Sequence, residues 1–147
     1  MGNAPLEFLN SHIPVSRGTG ERLKIYHDLL LKWQKKINLI GENTIADIWN
    51  RHFLDSLQLV NYIDDKQKVI VDIGSGAGFP GMALAIYGYS NVHLVESDSR
   101  KTAFLREVAR ITNTKVEIHN RRVEELSNWR NHDLVFTSRA CAPLEKL

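Results

Sequence analysis

The stretch with the clearest chemistry is the glycine-rich segment VDIGSGAGFPG at residues 71–81. A predicted strand ends at Asp72 and a predicted helix begins at Pro80. Three glycines stand between them: Gly74, Gly76 and Gly78. Glycines let the backbone turn tightly and approach a ligand, and the first turn of a helix presents unpaired N–H groups. The segment predicts a site for a nucleotide-like molecule, in which Asp72 is placed to meet a cationic end of the ligand.

The glycine spacing fits two patterns. It fits Asp-x-Gly-x-Gly-x-Gly from Asp72, and it fits the Gly-x-Gly-x-x-Gly of dinucleotide enzymes when counted from Gly76. The second register puts Gly81 beyond Pro80 and inside the helix, and it gives Gly74 no role. We favour the first register and keep an NAD-dependent oxidoreductase as an alternative.

An acidic residue follows the second predicted strand. Glu96 lies about 18 residues past Gly78, close to the roughly 20 residues usual for a carboxylate that accepts hydrogen bonds from ribose hydroxyls. NAD and S-adenosylmethionine both contain a ribose, so Glu96 supports nucleotide binding without distinguishing the two cofactors.

The elements that must position these residues follow from the apolar pattern. Short apolar runs alternate with helical segments, which predicts right-handed βαβ units and a parallel sheet covered on both faces. The predicted strands are residues 69–73, 92–96, 115–119 and 133–137, and the helices between them are 80–87, 98–111 and 124–129.

Two further helices are predicted ahead of the sheet. Apolar residues recur at helical spacing from Glu21 to Ile37, and a second apolar stripe follows Thr44, which with Asp47 resembles a capping box. The expected organisation is a loosely ordered leader, an N-terminal helical cap and a Rossmann-like sheet domain, at residues 1–20, 21–66 and 67–147.

Composition limits the class of protein. The 147 residues, 43% hydrophobic and 24% charged, suit a single globular domain with a short appendage. The net charge of +2 means that any RNA affinity depends on where the charges are placed. The single cysteine, Cys141, excludes an internal disulfide or thiolate metal cluster, so we expect no metal. No stretch approaches the roughly 20 apolar residues of a membrane span, and we expect a cytoplasmic protein.

Four segments together resemble one known family. They are INLIGENT at 37–44, RHFLDSLQL at 51–59, VDIGSGAGFPG at 71–81 and SRACAPLEKL at 138–147. They are similar to the bacterial 16S ribosomal RNA guanine-N7 methyltransferases, the glucose-inhibited division protein B family, over about residues 22–147. The resemblance implies a class I methyltransferase fold, S-adenosylmethionine as cofactor, and 16S RNA of the small ribosomal subunit as substrate.

Family members continue through further strands, whereas this sequence ends after the fourth. The resemblance therefore predicts a chain truncated at its C-terminal side and a partial sheet in the strand order three, two, one, four, with the outer edge of the fourth strand unpaired. A non-catalytic, cofactor-binding fragment remains a second alternative to the methyltransferase.

The resemblance also implies particular cofactor contacts. They are Gly74 and Phe79 in the glycine loop, Val123 and Glu124 after the third strand, and Arg139 after the fourth. At position 123 the family usually has alanine. Arg139 is the candidate catalytic residue, because a planar guanidinium can hold a cofactor carboxylate or a substrate phosphate.

The segment after the fourth strand bears on the reaction type. Methyltransferases acting on exocyclic amines place hydrogen-bond acceptors there, whereas this sequence has Thr137-Ser138-Arg139-Ala140. Guanine N7 offers a lone pair with no proton to remove, so alignment of the reactants alone can serve. The segment is therefore compatible with methylation at N7.

Polar residues in the segment 51–59 need a separate interpretation. His52, Asp55 and Ser56 share a helical face, but no nucleophile elbow surrounds Ser56, so we do not favour a hydrolytic triad. An ion pair between Arg51 and Asp55 is the favoured interpretation. Because the family resemblance puts this segment near the active-site mouth, Arg51 and His52 are candidate RNA contacts.

Overall fold

The computed structural model describes residues 4–122, 124 and 133–139. Its centre is a sheet of parallel strands in the order β3-β2-β1-β4, which confirms the predicted order and direction. The strands are β1 (Val69–Ile73), β2 (Asn91–Val95), β3 (Glu117–His119) and β4 (Leu134–Thr137). β3 is two residues shorter than predicted at its start, and the other boundaries agree within one residue.

Helices alternate with these strands as the pattern predicts. α4 (Gly81–Tyr87) follows β1 and α5 (Ser99–Thr112) follows β2, whereas α1 (Ala4–Asn10), α2 (Arg17–Gln34) and α3 (Asp55–Leu57) precede β1. The start of α5 is fixed by Asp98, whose side chain accepts the amides of Arg100 and Lys101. The helix predicted at 124–129 lies outside the described residues except for Glu124.

The leader prediction is wrong for the described part of residues 1–20. α1 lies in this segment, and Leu9 and Ile13 are 1% and 2% exposed within the main hydrophobic core. Ser16 caps α2, because its hydroxyl accepts the amide of Thr19. Prolines and glycines interrupt the apolar pattern here, so the sequence alone concealed a helix whose stability comes from tertiary packing.

The second N-terminal helix is irregular, and we refer to residues 42–61 as the composite helix. It consists of a 3₁₀ turn (Glu42–Asp47), a π turn (Trp49–Leu54), α3 and a second 3₁₀ turn (Gln58–Asn61). The predicted capping box is wrong, because Thr44 lies inside the first turn and its hydroxyl donates to the carbonyl of Gly41 at 2.6 Å.

Tyr26 joins the helical layer to the sheet domain. Its fully buried ring stacks on Phe79 of the glycine loop, with centroids 5.1 Å apart, and meets Phe53 of the composite helix edge-on at 5.2 Å. Phe104 of α5 lies 6.3 Å away. These aromatic contacts therefore pack α2 and the composite helix against the glycine loop. No helix in the described part of the chain is long and apolar enough to cross a membrane.

Candidate functional site

The glycine loop bends from the end of β1 towards β2. Gly74, Gly76 and Gly78 have φ of +66°, +53° and +100°, a region that residues with a Cβ rarely adopt. This path brings the amides of Gly74 and Ser75 to the carbonyl of Val95, at 2.9 and 3.0 Å. The glycines are therefore required by the backbone path as well as by any ligand.

Two of these glycines face opposite environments. A Cβ on Gly78 would lie 2.5 Å from the Tyr26 hydroxyl and 2.8 Å from Met82 Cβ, so Gly78 is packed inward. A Cβ on Gly76 would meet no described atom closer than the Gly74 carbonyl oxygen, at 3.8 Å. Gly76 therefore presents bare backbone to an open space.

That space is a cavity of about 420 Å³ at the carboxyl ends of β1 and β2. Its volume lies within the roughly 300–1,000 Å³ typical of small-molecule sites. The structure brings five predicted cofactor-binding residues to its wall: Gly74, Gly76, Phe79, Glu96 and Arg139. The carboxyl edge of a parallel sheet, where such ligands usually bind, is thus the edge that carries the predicted residues.

Glu96 joins the ends of the two central strands. Its Oε1 accepts the amide of Gly76 and its Oε2 accepts the amide of Asp98, both at 2.8 Å. A carboxylate has about four lone-pair directions, so further acceptor capacity remains beside the cavity. Glu96 is 8% exposed and held on both oxygens, which fixes it as an acceptor at the cavity wall.

Asp72 does not reach the cavity wall, contrary to the prediction. It is 1% exposed, its Oδ1 accepts the hydroxyl of Thr137 at 2.7 Å, and its Oδ2 accepts the amide of Gly81 at 3.3 Å. Burial raises the pKa of this carboxyl to about 6. Asp72 therefore ties β1 to β4 and to the start of α4 from behind the loop.

Gly81 has a packing role at the same place. A Cβ there would lie 2.4 Å from Leu94 Cδ2 and 2.7 Å from Asp72 Cβ. Gly81 is thus explained by close contact between α4 and the sheet, and a dinucleotide glycine register is not needed to account for it.

Arg139 is anchored to the composite helix. Its Nη1 donates to Nδ1 of His52 at 3.1 Å, its Nη2 donates to the carbonyl of Arg51 at 3.0 Å, and Nη2 lies 3.4 Å from Asp55 Oδ2. The predicted ion pair between Arg51 and Asp55 is wrong, since Asp55 pairs with Arg139. The guanidinium is therefore held in one orientation at the edge of the cavity.

His52 is an internal part of the cavity wall. It is 9% exposed and stacks on Phe79 with centroids 5.2 Å apart. We assign its proton to Nε2, because Nδ1 accepts from Arg139, so that Nε2 donates to Thr44 Oγ1 at 2.8 Å. Burial, then the charges of Arg139 and Arg51, lower its pKa to about 4. His52 is therefore neutral at physiological pH, and its side chain is buried in the cavity wall.

The hydrogen bond of Ser56 argues against a hydrolytic triad. Its hydroxyl donates to the backbone carbonyl of His52 at 2.7 Å, so it is not paired with the imidazole ring. Arg51, in contrast, is exposed beside the cavity mouth and remains a candidate RNA contact.

Sequence reasoning missed part of the cavity wall. Leu39, Ile40 and Gly41 line the cavity, and Gln34 positions them by accepting the amides of Leu39 and Ile40, each at 3.0 Å. The matched segment INLIGENT was the available signal, although it named no contact. Lys101, in the first turn of α5, also lines the cavity.

Of the two cofactor contacts predicted after the third strand, the structure describes one. Val123 lies outside the described residues. Glu124 is described and exposed, and it is not among the residues lining the cavity.

Comparison with known proteins adds an independent finding. The family model described as rRNA small subunit methyltransferase G, GidB, matches residues 19–147. A protein of Paramagnetospirillum magneticum called ribosomal RNA small subunit methyltransferase G is 56% identical over 133 residues, which cover 90% of this chain and 64% of that protein. The protein of the same name from Rhodospirillum rubrum is 51% identical over 96% of this chain and 69% of its own length.

A third relative of that name, from Rhodospirillum centenum, is 53% identical over 76% of this chain and 51% of its own length. The chain thus spans between about half and about two thirds of the length of these relatives.

Proposed function

The chain belongs to the rRNA small subunit methyltransferase G family, and from that premise we propose that it binds S-adenosylmethionine in the cavity and methylates N7 of a guanine in 16S ribosomal RNA of the small subunit, in the cytoplasm. The main observation behind the proposal is the hydrogen bond from the Gly76 amide to Glu96. It holds a carboxylate acceptor next to a stretch of backbone without a side chain, on the same cavity wall.

The residues present fit this cofactor. Gly76 leaves room for close approach of a ligand to the backbone, and Glu96 keeps acceptor capacity for ribose hydroxyls. Arg139 and Lys101 place two cationic groups at the wall for the carboxylate of the methionine part. Phe79, which is 5% exposed and stacks on Tyr26 and His52, adds a small apolar surface to the same wall.

S-adenosylmethionine supplies an electrophilic methyl group on a sulfonium that leaves without proton transfer. The chain's own contribution is to position the reactants, because guanine N7 has no proton to lose. Arg139 is suited to this role since its three partners fix its orientation. His52 is neutral and already hydrogen-bonded at both ring nitrogens, so it is not available as a base.

A second cavity, which shares Arg139 with the first, supports a position for the substrate beside the cofactor. It has a volume of about 440 Å³ and is lined by residues that include Pro80, Ser138 and Arg139. Arg139 is common to both cavities. We propose that the guanine enters from this side, where the aromatic rings of Tyr62 and Phe136, 82% and 57% exposed, offer stacking surfaces for bases.

The alternatives are distinguishable. Two observations count against an NAD-dependent oxidoreductase. Close packing explains Gly81 without a dinucleotide glycine pattern, and the matching family is a methyltransferase family. A non-catalytic cofactor-binding chain would share the cavity and differ in having no methyl transfer to RNA.

Isothermal titration with S-adenosylhomocysteine and with NAD tests the cofactor. We expect S-adenosylhomocysteine to bind and NAD not to bind. Gly76→Val is expected to abolish binding, because a side chain there projects into the cavity and is strained at φ of +53°. Gly18→Val is the matched control, because no atom lies within 4 Å of a Cβ at Gly18. Binding of NAD alone would refute the proposal, and binding without transfer of methyl to small ribosomal subunits would favour the non-catalytic alternative.

A further inference from the structure

Two histidines and a glutamate converge on the β2–β3 edge of the sheet and are not among the residues that line the cavity. His93 Nδ1 lies 3.1 Å from His119 Nε2 and 3.2 Å from Glu117 Oε2. His119 Nε2 lies 3.9 Å from the same carboxylate oxygen. Three atoms that can each bind a metal thus form a small triangle.

Strand pairing produces this arrangement. Glu117 and His119 are two residues apart on β3 and therefore project from the same face of the sheet. His93 is the parallel-register partner of Glu117 on β2, which places it on that face too. The two imidazole rings lie edge to edge, with centroids 5.3 Å apart, planes inclined by 17° and the two close nitrogens between the centroids, so both rings must turn to direct these nitrogens at one metal ion. The cluster is thus set by backbone register and does not depend on a flexible loop.

The dimensions fit a first-row transition metal. Bonds of about 2.0–2.1 Å to nitrogen and oxygen place the ligand atoms of a tetrahedral zinc site about 3.3 Å apart. Two edges of the triangle are already close to that value. The third edge shortens when the Glu117 side chain, which is 69% exposed, rotates slightly. Imidazole and carboxylate ligands together suit Zn²⁺ and Ni²⁺ better than Mg²⁺ or Ca²⁺, which prefer oxygen.

We infer that His93, Glu117 and His119 form a binding site for one divalent transition-metal ion, with water completing its coordination. The site would join β3, which is only three residues long, to β2. It also adjoins the cofactor wall, because the amide of Glu96 donates to the carbonyl of His119 at 3.0 Å. The expectation of no metal rested on the single cysteine and took no account of histidines brought together by strand register.

Titration of the full chain with zinc chloride, after treatment with EDTA and buffer exchange, tests the site. We expect one Zn²⁺ per chain and a rise in the thermal unfolding midpoint, because a ligand that binds the folded state stabilises it. His93→Asn and His119→Asn are each expected to weaken binding by at least about tenfold, and Glu117→Gln to weaken it as well.

His12→Asn is the matched control, because His12 lies just after α1 and contacts Ser11 and the Phe8 carbonyl. Its zinc affinity should equal that of the unmodified chain. Because a histidine variant can lose stability, the exposed Glu117 variant provides a second test, with circular dichroism to verify folding. Zinc affinity unchanged in all three cluster variants, or no zinc binding by the unmodified chain, would overturn the inference.

Discussion

Arg139 donates a hydrogen bond from Nη1 to Nδ1 of His52, 3.1 Å away, although the two residues are 87 positions apart in the chain. A guanidinium is always a donor, so this contact requires an unprotonated Nδ1. The same cation opposes a second proton on the ring, and together with burial it lowers the pKa of His52 to about 4. The pair therefore couples the orientation of Arg139 to a histidine that stays neutral at physiological pH.

The first prediction concerns the pH dependence of methyl transfer. With no proton to remove from guanine N7 and with His52 neutral, the single-turnover rate on saturating small ribosomal subunits should change by less than about twofold between about pH 6.5 and pH 8.5. Rates at several pH values within this range measure it. A rise with a midpoint near the ordinary pKa of histidine would instead identify a base in the reaction.

The second prediction concerns Arg139→Lys. Lysine keeps the charge, but its single ammonium cannot reproduce the planar contacts with His52 and the Arg51 carbonyl. We expect the single-turnover rate to fall by roughly tenfold or more, with its flat pH dependence unchanged. Arg17→Lys, at a side chain that is 84% exposed, should leave the rate unaltered. Equal rates in the two variants would remove Arg139 from the positioning role.

The sheet was predictable because each strand is a short apolar run with its own turn signals. For β1, for example, the predicted bounds, residues 69–73, are the observed ones. Gly76 and Glu96 were identifiable because the ligand-binding loop and the acid follow successive strands at a recurrent spacing.

The failures arose where tertiary contacts override local pattern. Thr44 has the sequence context of a helix cap, but its hydroxyl donates to the Gly41 carbonyl and accepts a hydrogen bond from Nε2 of His52. Asp72 has the position of a ligand contact, yet Thr137, 65 residues later, takes one of its oxygens. Such pairings depend on which side chains face each other across neighbouring elements, and spacing along the chain does not contain that information.

The third prediction concerns Tyr26→Phe. The Tyr26 hydroxyl is buried and donates to the carbonyl of Ala77 in the glycine loop at 2.5 Å. Removing it leaves that carbonyl without its donor, at a cost of about 1–3 kcal/mol, while the ring packing is preserved. We expect both a lower thermal midpoint and weaker binding of S-adenosylhomocysteine, measured by scanning calorimetry and isothermal titration.

Tyr89→Phe is the matched control for this change. Its buried hydroxyl makes an equivalent bond, to the carbonyl of Ile63 at 2.5 Å, and Tyr89 does not line the cavity. It should lose comparable stability and keep its cofactor affinity. If both variants lose affinity equally, Tyr26 acts on stability alone and does not position the loop.

The last prediction concerns the buried carboxyl of Asp72, whose pKa is raised from 3.8 to about 6 because burial disfavours its charged form. The folded protein therefore holds this proton more tightly than the unfolded chain does. The contribution of Asp72 to the free energy of unfolding should fall as the pH rises from about 4 to about 6, by up to about 3 kcal/mol, and stay level above that range. Asp72→Asn cannot titrate, so the difference in unfolding free energy between the unmodified chain and this variant isolates the effect from other acidic groups. Urea unfolding of both proteins at several pH values between about 4 and 7 measures that difference. A difference that is constant across this range, or that grows with pH, would mean that the carboxyl is already ionised at low pH and that its contacts with Thr137 and the Gly81 amide outweigh its burial.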